Sequence, residues 1–158
     1  MQQLFSYNWQ VREEWFAWCE ELSSNDFFLL RNGGQRSFYR TFLHLLDVEK
    51  SWVLAIEGKP DEPITADDAS TLAELKDLSA RQQKELNRFF TDVTKETLTQ
   101  IVSPVWTQHS YSVNVILQHL IAHEIHHVGQ LSVWARELNR QPVSADLIDR
   151  KLPDHSRF

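Results

Sequence analysis

With 158 residues, 42% of them hydrophobic, the chain is long enough to bury a core and too apolar to stay disordered. Its net charge of −6 offers no basic face for phosphates, so no nucleic-acid partner is expected. The lone cysteine, Cys19, cannot form an internal disulfide, the N-terminal residues lack the pattern of a secretory signal, and no stretch is apolar enough to span a membrane. These features predict one domain over residues 1–158, in the cytoplasm.

The first helix is expected over roughly residues 3–22, where Leu4, Tyr7, Val11, Trp15, Trp18 and Leu22 recur at steps of three and four. Cys19 lies beside that stripe and reads as core. Ser23-Ser24-Asn25-Asp26 interrupts it. Phe27-Phe28-Leu29-Leu30 then reads as an irregular apolar connection, ended by the turn residues Asn32-Gly33-Gly34. Ser37 is placed to cap a second helix reaching Ile56, with Phe38, Thr41, Phe42, Leu45, Leu46, Val48, Trp52 and Ile56 as its apolar set. Gly58 and Pro60 end it.

Residues 59–70 form a loop whose length predicts a crossover and not a hairpin. Thr71 and Glu74 have the spacing of a capping box for a third helix that reaches Val93 and buries Leu75, Leu78, Leu86, Phe89 and Phe90. Between Leu98 and Ser112, β-branched residues with Pro104 and Trp106 predict an extended excursion with two very short strands. Ser112 caps a long final helix that ends near Asn139, before Pro142. The tail from Val143 is expected to pack back along the bundle. The fold class is therefore all-α: an antiparallel four-helix bundle, with a long crossover between helices 2 and 3 and a short excursion before helix 4.

The final helix carries His119, His123, His126 and His127. Residues four apart share a face, so neighbouring members of the ladder 119, 123, 127 can both reach one ion, with nitrogens about 2.0–2.1 Å from it. Three successive turns are too long for one ion, so a third ligand must come from elsewhere. His44, alone on an apolar helix face where an unpaired imidazole is costly, is the best candidate. The run His123-Glu124-Ile125-His126-His127 also matches H-E-x-x-H, which would make Glu124 a general base. Against that reading, Val133 stands where a third histidine would follow, little chain remains after Glu137, and no substrate-binding sheet precedes the motif.

These residues resemble the DinB-like (damage-inducible, YfiT-related) family of metal-binding four-helix bundles. The resemblance runs from Glu21-Leu22-Ser23 through Gly33-Gly34-Gln35-Arg36-Ser37 to Phe42-Leu43-His44-Leu45-Leu46-Asp47-Val48-Glu49 with Trp52. It ends in the ladder of His119, His123 and His127 followed by Val128-Gly129-Gln130-Leu131, then Pro142 and Asp146; many members have Arg where this chain has Val128. The resemblance implies a divalent metal ion, zinc or nickel, on His44, His123 and His127, and a homodimer.

Three imidazoles leave part of the coordination sphere open, as catalytic sites do. An open position can acidify water, or bind and deprotonate a thiol. Characterised relatives include S-transferases that use a low-molecular-weight thiol such as bacillithiol or mycothiol, and a thiol-dependent maleylpyruvate isomerase. A metal-dependent thiol transferase acting on a small molecule is thus the first expectation. Metal-assisted hydrolysis, with Glu124 or Asp47 orienting water, is the second, and a non-enzymatic metal-binding stress protein the third. Asp47 and Glu124 otherwise read as solvated or as supporting the ligands. His119 reads as a hydrogen-bonding neighbour of the site, His126 as facing away, His109 as surface or pocket rim, and Gln130 as structural. Trp9, Trp52 and Trp106 are candidates for a pocket wall.

Overall fold

The computed structural model describes residues 1–148 and 150–153. Its long helices are α1 (Gln2–Glu20), α3 (Phe38–Ile56), α4 (Leu72–Asp92) and α6 (Val113–Glu137), joined by the short helices α2 (Ser24–Phe28) and α5 (Lys95–Thr99) and the strands β1 (Ile101–Val102) and β2 (Tyr111–Ser112). The expected caps form. Ser37 accepts from the amide of Arg40, Ser112 from that of Val115, and Thr71 and Glu74 make the reciprocal capping box. The two strands pair antiparallel, Ile101 opposite Ser112 and Val102 opposite Tyr111, so the excursion is tied down at both ends.

One connection differs from expectation. The segment containing Phe27 and Phe28 is not irregular but closes as α2, because Ser23 accepts from the Asp26 amide and Asp26 sits in the first turn. The polar run that interrupts α1 thus also starts a helix. Phe27 is buried against Tyr39 and Phe42, and Leu29 and Leu30 stay exposed.

Contacts fix the helix directions. Asn8 and Arg12 of α1 bond to Ile121 and Glu124 of α6 in the same order, so these helices run parallel. Phe16 of α1 meets Phe42 of α3, and Trp18 meets Phe38, in reversed order. Phe5 of α1 meets Phe90 of α4 and Glu20 pairs with Lys76, so α4 also runs against α1, and the long crossover lets α3 and α4 run in one direction. It lies against α3, where Asp47 Oδ1 accepts from the Ile64 amide (2.7 Å) and the Tyr39 hydroxyl donates to the Ala69 carbonyl (2.9 Å). The tail packs back on α1: Tyr7 donates to the Ala145 carbonyl, and Arg150 pairs with Glu14. Asp149 and residues 154–158 of the expected tail lie outside the described residues. Among the described residues, no helix is long and apolar enough to cross a membrane.

Two apolar clusters fill the bundle. One centres on Trp15, Phe16, Phe38, Phe42, Leu131 and Trp134, the other on Phe5, Leu86, Phe90, Ile116 and Leu117. Between them along every long helix sits a buried polar residue: Arg12 on α1, Glu49 on α3, Ser79 and Gln82 on α4, Glu124 on α6. On α4 this layer replaces part of the expected stripe, and Leu78 and Phe89 are only partly buried. The histidines lie beside this layer.

Candidate metal centre

His44 projects from α3 towards α6, where His123 and His127 are one turn apart. The His123 Nε2 lies 3.1 Å from His44 Nε2 and 3.2 Å from His127 Nε2, and one ligand atom from each of the three residues falls within 4.8 Å of the others. Nitrogens about 2.0–2.1 Å from a tetrahedral ion are separated by about 3.3 Å, so this spacing suits a shared cation. The three histidines can therefore hold a divalent metal ion. His119 is not part of the convergent set, although its ring packs 5.5 Å from that of His123.

Two features keep the nitrogens available. Burial depresses the basicity of all three imidazoles; neighbouring histidines add to this at His123, whose pKa falls to about 3. At His127, Nδ1 is 3.1 Å from Gln130 Oε1. An amide oxygen only accepts, so Nδ1 must carry the proton and donate, leaving the Nε2 lone pair for an ion. Gln130 Nε2 in turn donates to His126 Nε2 at 3.2 Å. Gln130, read from the sequence as structural, thus sets the tautomer of a candidate ligand.

Gly34 backs this arrangement. Its φ is +46°, and a Cβ there would stand 1.8 Å from Gln130 Oε1. Gly34→Ala is expected to displace the amide and weaken zinc binding about 10–100-fold, as Gln130→Ala should. Competition with a chromogenic chelator measures both; unchanged affinity in both variants would leave Gln130 without a role at the metal.

The sequence matches the DinB family over residues 1–154. The chain belongs to the DinB family. It is similar to the uncharacterized protein YizA of Bacillus subtilis (strain 168), 44% identical over 158 residues and covering 99% of each chain. Its fold is similar to the crystal structure of a DinB-like protein, YjoA, from Bacillus subtilis, with a TM-score of 0.62 at 19% identity, covering 91% of this chain and 96% of that one.

In this DinB-family protein the carboxylates near the ligands are already engaged. Glu124 does not face solvent or the histidines' nitrogens as a free base. It is 4% exposed, and both its oxygens accept from Arg12, Oε1 from Nε at 2.7 Å and Oε2 from Nη2 at 2.8 Å. That removes the H-E-x-x-H reading. Asp47 holds the crossover through Ile64. Arg12 also donates to Glu49 Oε2 (2.9 Å) and Ser79 Oγ (3.3 Å), joining all four long helices. The sequence reading missed this cluster. The available signal was polar Asn8 and Arg12 standing between Phe5 and Phe16 on one helical arc.

The remaining candidates separate clearly. His109 is exposed in the excursion, and His126 is exposed but touches Gln130. Trp9 is buried against Phe5, and belongs to the core. Trp52 and Trp106 meet at 5.4 Å, and Trp52 also packs on His119. Cys19 is buried, which pushes its thiol pKa up and makes it a poor nucleophile.

Proposed function

We propose that His44, His123 and His127 hold a divalent ion, zinc or nickel, and that the protein transfers a low-molecular-weight thiol to a small-molecule electrophile. The observation that carries this reading is the convergence of three neutral imidazoles beside carboxylates that are already bonded to other groups. When bound, the ion would supply the Lewis acidity that makes a thiol a thiolate at neutral pH. Hydrolysis would benefit from a general base to orient water, but Arg12 takes both oxygens of Glu124 and the Ile64 amide takes one oxygen of Asp47, the two carboxylates suggested for that task. A thiol, with an ordinary pKa of about 8.5, needs less help.

The chain's own residues do the positioning. Gln130 fixes the His127 ring, and the half-buried placement of His44 and His123 limits water around the nitrogens. Cys19, with its basicity raised by burial, does not compete with an external thiol. On this reading the protein works as a cytoplasmic homodimer whose partner is a small molecule.

The test is a stopped assay of zinc-loaded protein with bacillithiol and 1-chloro-2,4-dinitrobenzene, run beside thiol-free cleavage of 4-nitrophenyl acetate. Thioether formation above the uncatalysed rate, lost in His123→Ala, is the expected result. Ester cleavage without thiol, lost in the same variant, would favour hydrolysis. Retained metal with neither activity would favour a binding protein.

A further inference from the structure

Two rows of side chains face each other across the α3–α6 groove. On α3 they are His44, Val48 and Trp52, and on α6 His127, His123 and His119, each at four-residue steps. The helices run in opposite directions, so His44 meets His123 and His127 at one end while Trp52 meets His119 at the other, ring centroids 5.8 Å apart. The two ends are separated by roughly 12 Å, eight residues of helix.

The far end is aromatic. Trp52 packs edge-on against Trp106 (5.4 Å, 78°) and Tyr111 (5.8 Å, 81°), both brought over α3 by the excursion that β1 and β2 pin in place. His119 links this group to His123. A continuous run of rings therefore leads from the candidate ligands to Trp106, whose side chain is 44% exposed. Tight packing of the excursion alone does not require this: an indole left in water beside an exposed imidazole has ring surface to offer a ligand.

We propose that this aromatic end binds a flat, electron-poor ring carried by the electrophile; the inference rests on the thiol-transfer reading above. Tryptophan and tyrosine faces are electron-rich and attract either cations or electron-poor rings. The thiol-transfer reading calls for an electrophile, and an electron-poor ring that carries a leaving group is one, whereas an organic cation without a leaving group is not. With the ring on the histidine-facing side of Trp52, its reacting carbon lies in the groove between the two ends. There the thiol sulfur forms a bond to that carbon, the carbon–halogen bond breaks, and the halide departs with the electron pair. The thiol proton goes to solvent.

Two measurements separate this proposal from the reading beneath it. The first is binding without turnover: calorimetric titration of S-(2,4-dinitrophenyl)cysteine and, as the ring-free control, S-methylcysteine into zinc-loaded and metal-free protein. Trp52→Leu and Trp106→Leu should each weaken the dinitrophenyl ligand roughly tenfold and leave the methyl ligand unchanged, with Trp106→Phe restoring most of the affinity. Trp106 lies on an exposed segment, so its variants test the site even if Trp52→Leu fails to fold. The second is turnover with bacillithiol: KM for 1-chloro-2,4-dinitrobenzene should rise in the variants while that for iodoacetamide does not.

Equal affinity in wild type and Trp106→Leu, or equal losses for both ligands, would overturn the proposal. So would dissociation of an oligomer in Trp106→Leu with ligand affinity unchanged, which would make this face a subunit contact. Ring-selective binding with no turnover in the wild type would uphold the aromatic site and overturn thiol transfer.

Discussion

Native protein purified without chelator should carry about one zinc or nickel ion per chain, and His44→Ala should lose most of it. The two histidines on α6 are neighbours by helix geometry alone, whereas His44 reaches them only because α3 packs beside α6. Removing it leaves two imidazoles one turn apart, a set with little hold on an ion. The loss should therefore exceed the 10–100-fold typical of changes to residues that merely support ligands. Elemental analysis reads the occupancy. Thermal melting supplies a second readout, because an ion at 1,000 times its Kd stabilises the fold by about 4 kcal/mol. Zinc should raise the melting temperature of the wild type and barely move that of the variant. Because His44 is half-buried at the edge of the core, the metal-free variant should still fold. Unchanged occupancy would remove His44 from the site, and with it the three-histidine centre on which the proposed chemistry depends.

The sequence made the helices legible because their caps and stripes are local. Ser37, Thr71 with Glu74, and Ser112 each mark a start within a residue or two. The candidate ligands were legible for a related reason: a four-residue histidine step means one face wherever the helix ends up. What escaped notice depends on tertiary contact. Ser23 to Asp26 looked like a break and is the start of α2, because a capping serine and a turn serine are the same residue type. Gln130 gains its role from the direction of one amide oxygen and from the approach of Gly34, separated from it by most of the chain. Glu124 stood next to a ligand in a well-known motif, yet helix geometry turns successive residues about 100° apart, and its partner Arg12 lies 112 residues away. No spacing rule connects those two.

Arg12→Met should be the most destabilising single substitution of the polar layer, by about 3–5 kcal/mol, because it strands two carboxylates in the interior. Arg12 is 2% exposed and meets Glu124 through two hydrogen bonds and Glu49 through one. Burial pulls its pKa down, but Glu124 and Glu49 together outweigh that and hold it above the usual value, so the guanidinium stays charged. A loss of that size should lower the melting temperature by roughly 6–20 °C in a domain of this length. The cost must depend on pH. Burial holds the Glu49 carboxyl above the ordinary carboxylate range even with Arg12 beside it, and without that partner it should rise further. A carboxyl whose folded pKa is raised binds more protons in the folded state, so stability falls as pH climbs from the unfolded value through the folded one. Denaturation of the variant should therefore show a smaller deficit at about pH 5 than at about pH 8. Equal deficits at both would mean that Glu49 is not the stranded charge. Replacing the whole cluster, as Arg12→Met with Glu49→Leu and Glu124→Leu, should recover most of the stability, since apolar packing often matches a buried ion pair. Zinc affinity then decides what the cluster is for. Glu49 and Glu124 sit on the two helices that carry the histidines, and Arg12 ties them together from α1. If the repacked protein folds well but binds zinc more weakly, the charged layer sets the spacing between α3 and α6; if it binds as tightly as the wild type, apolar contacts alone bring His44 to His123 and His127.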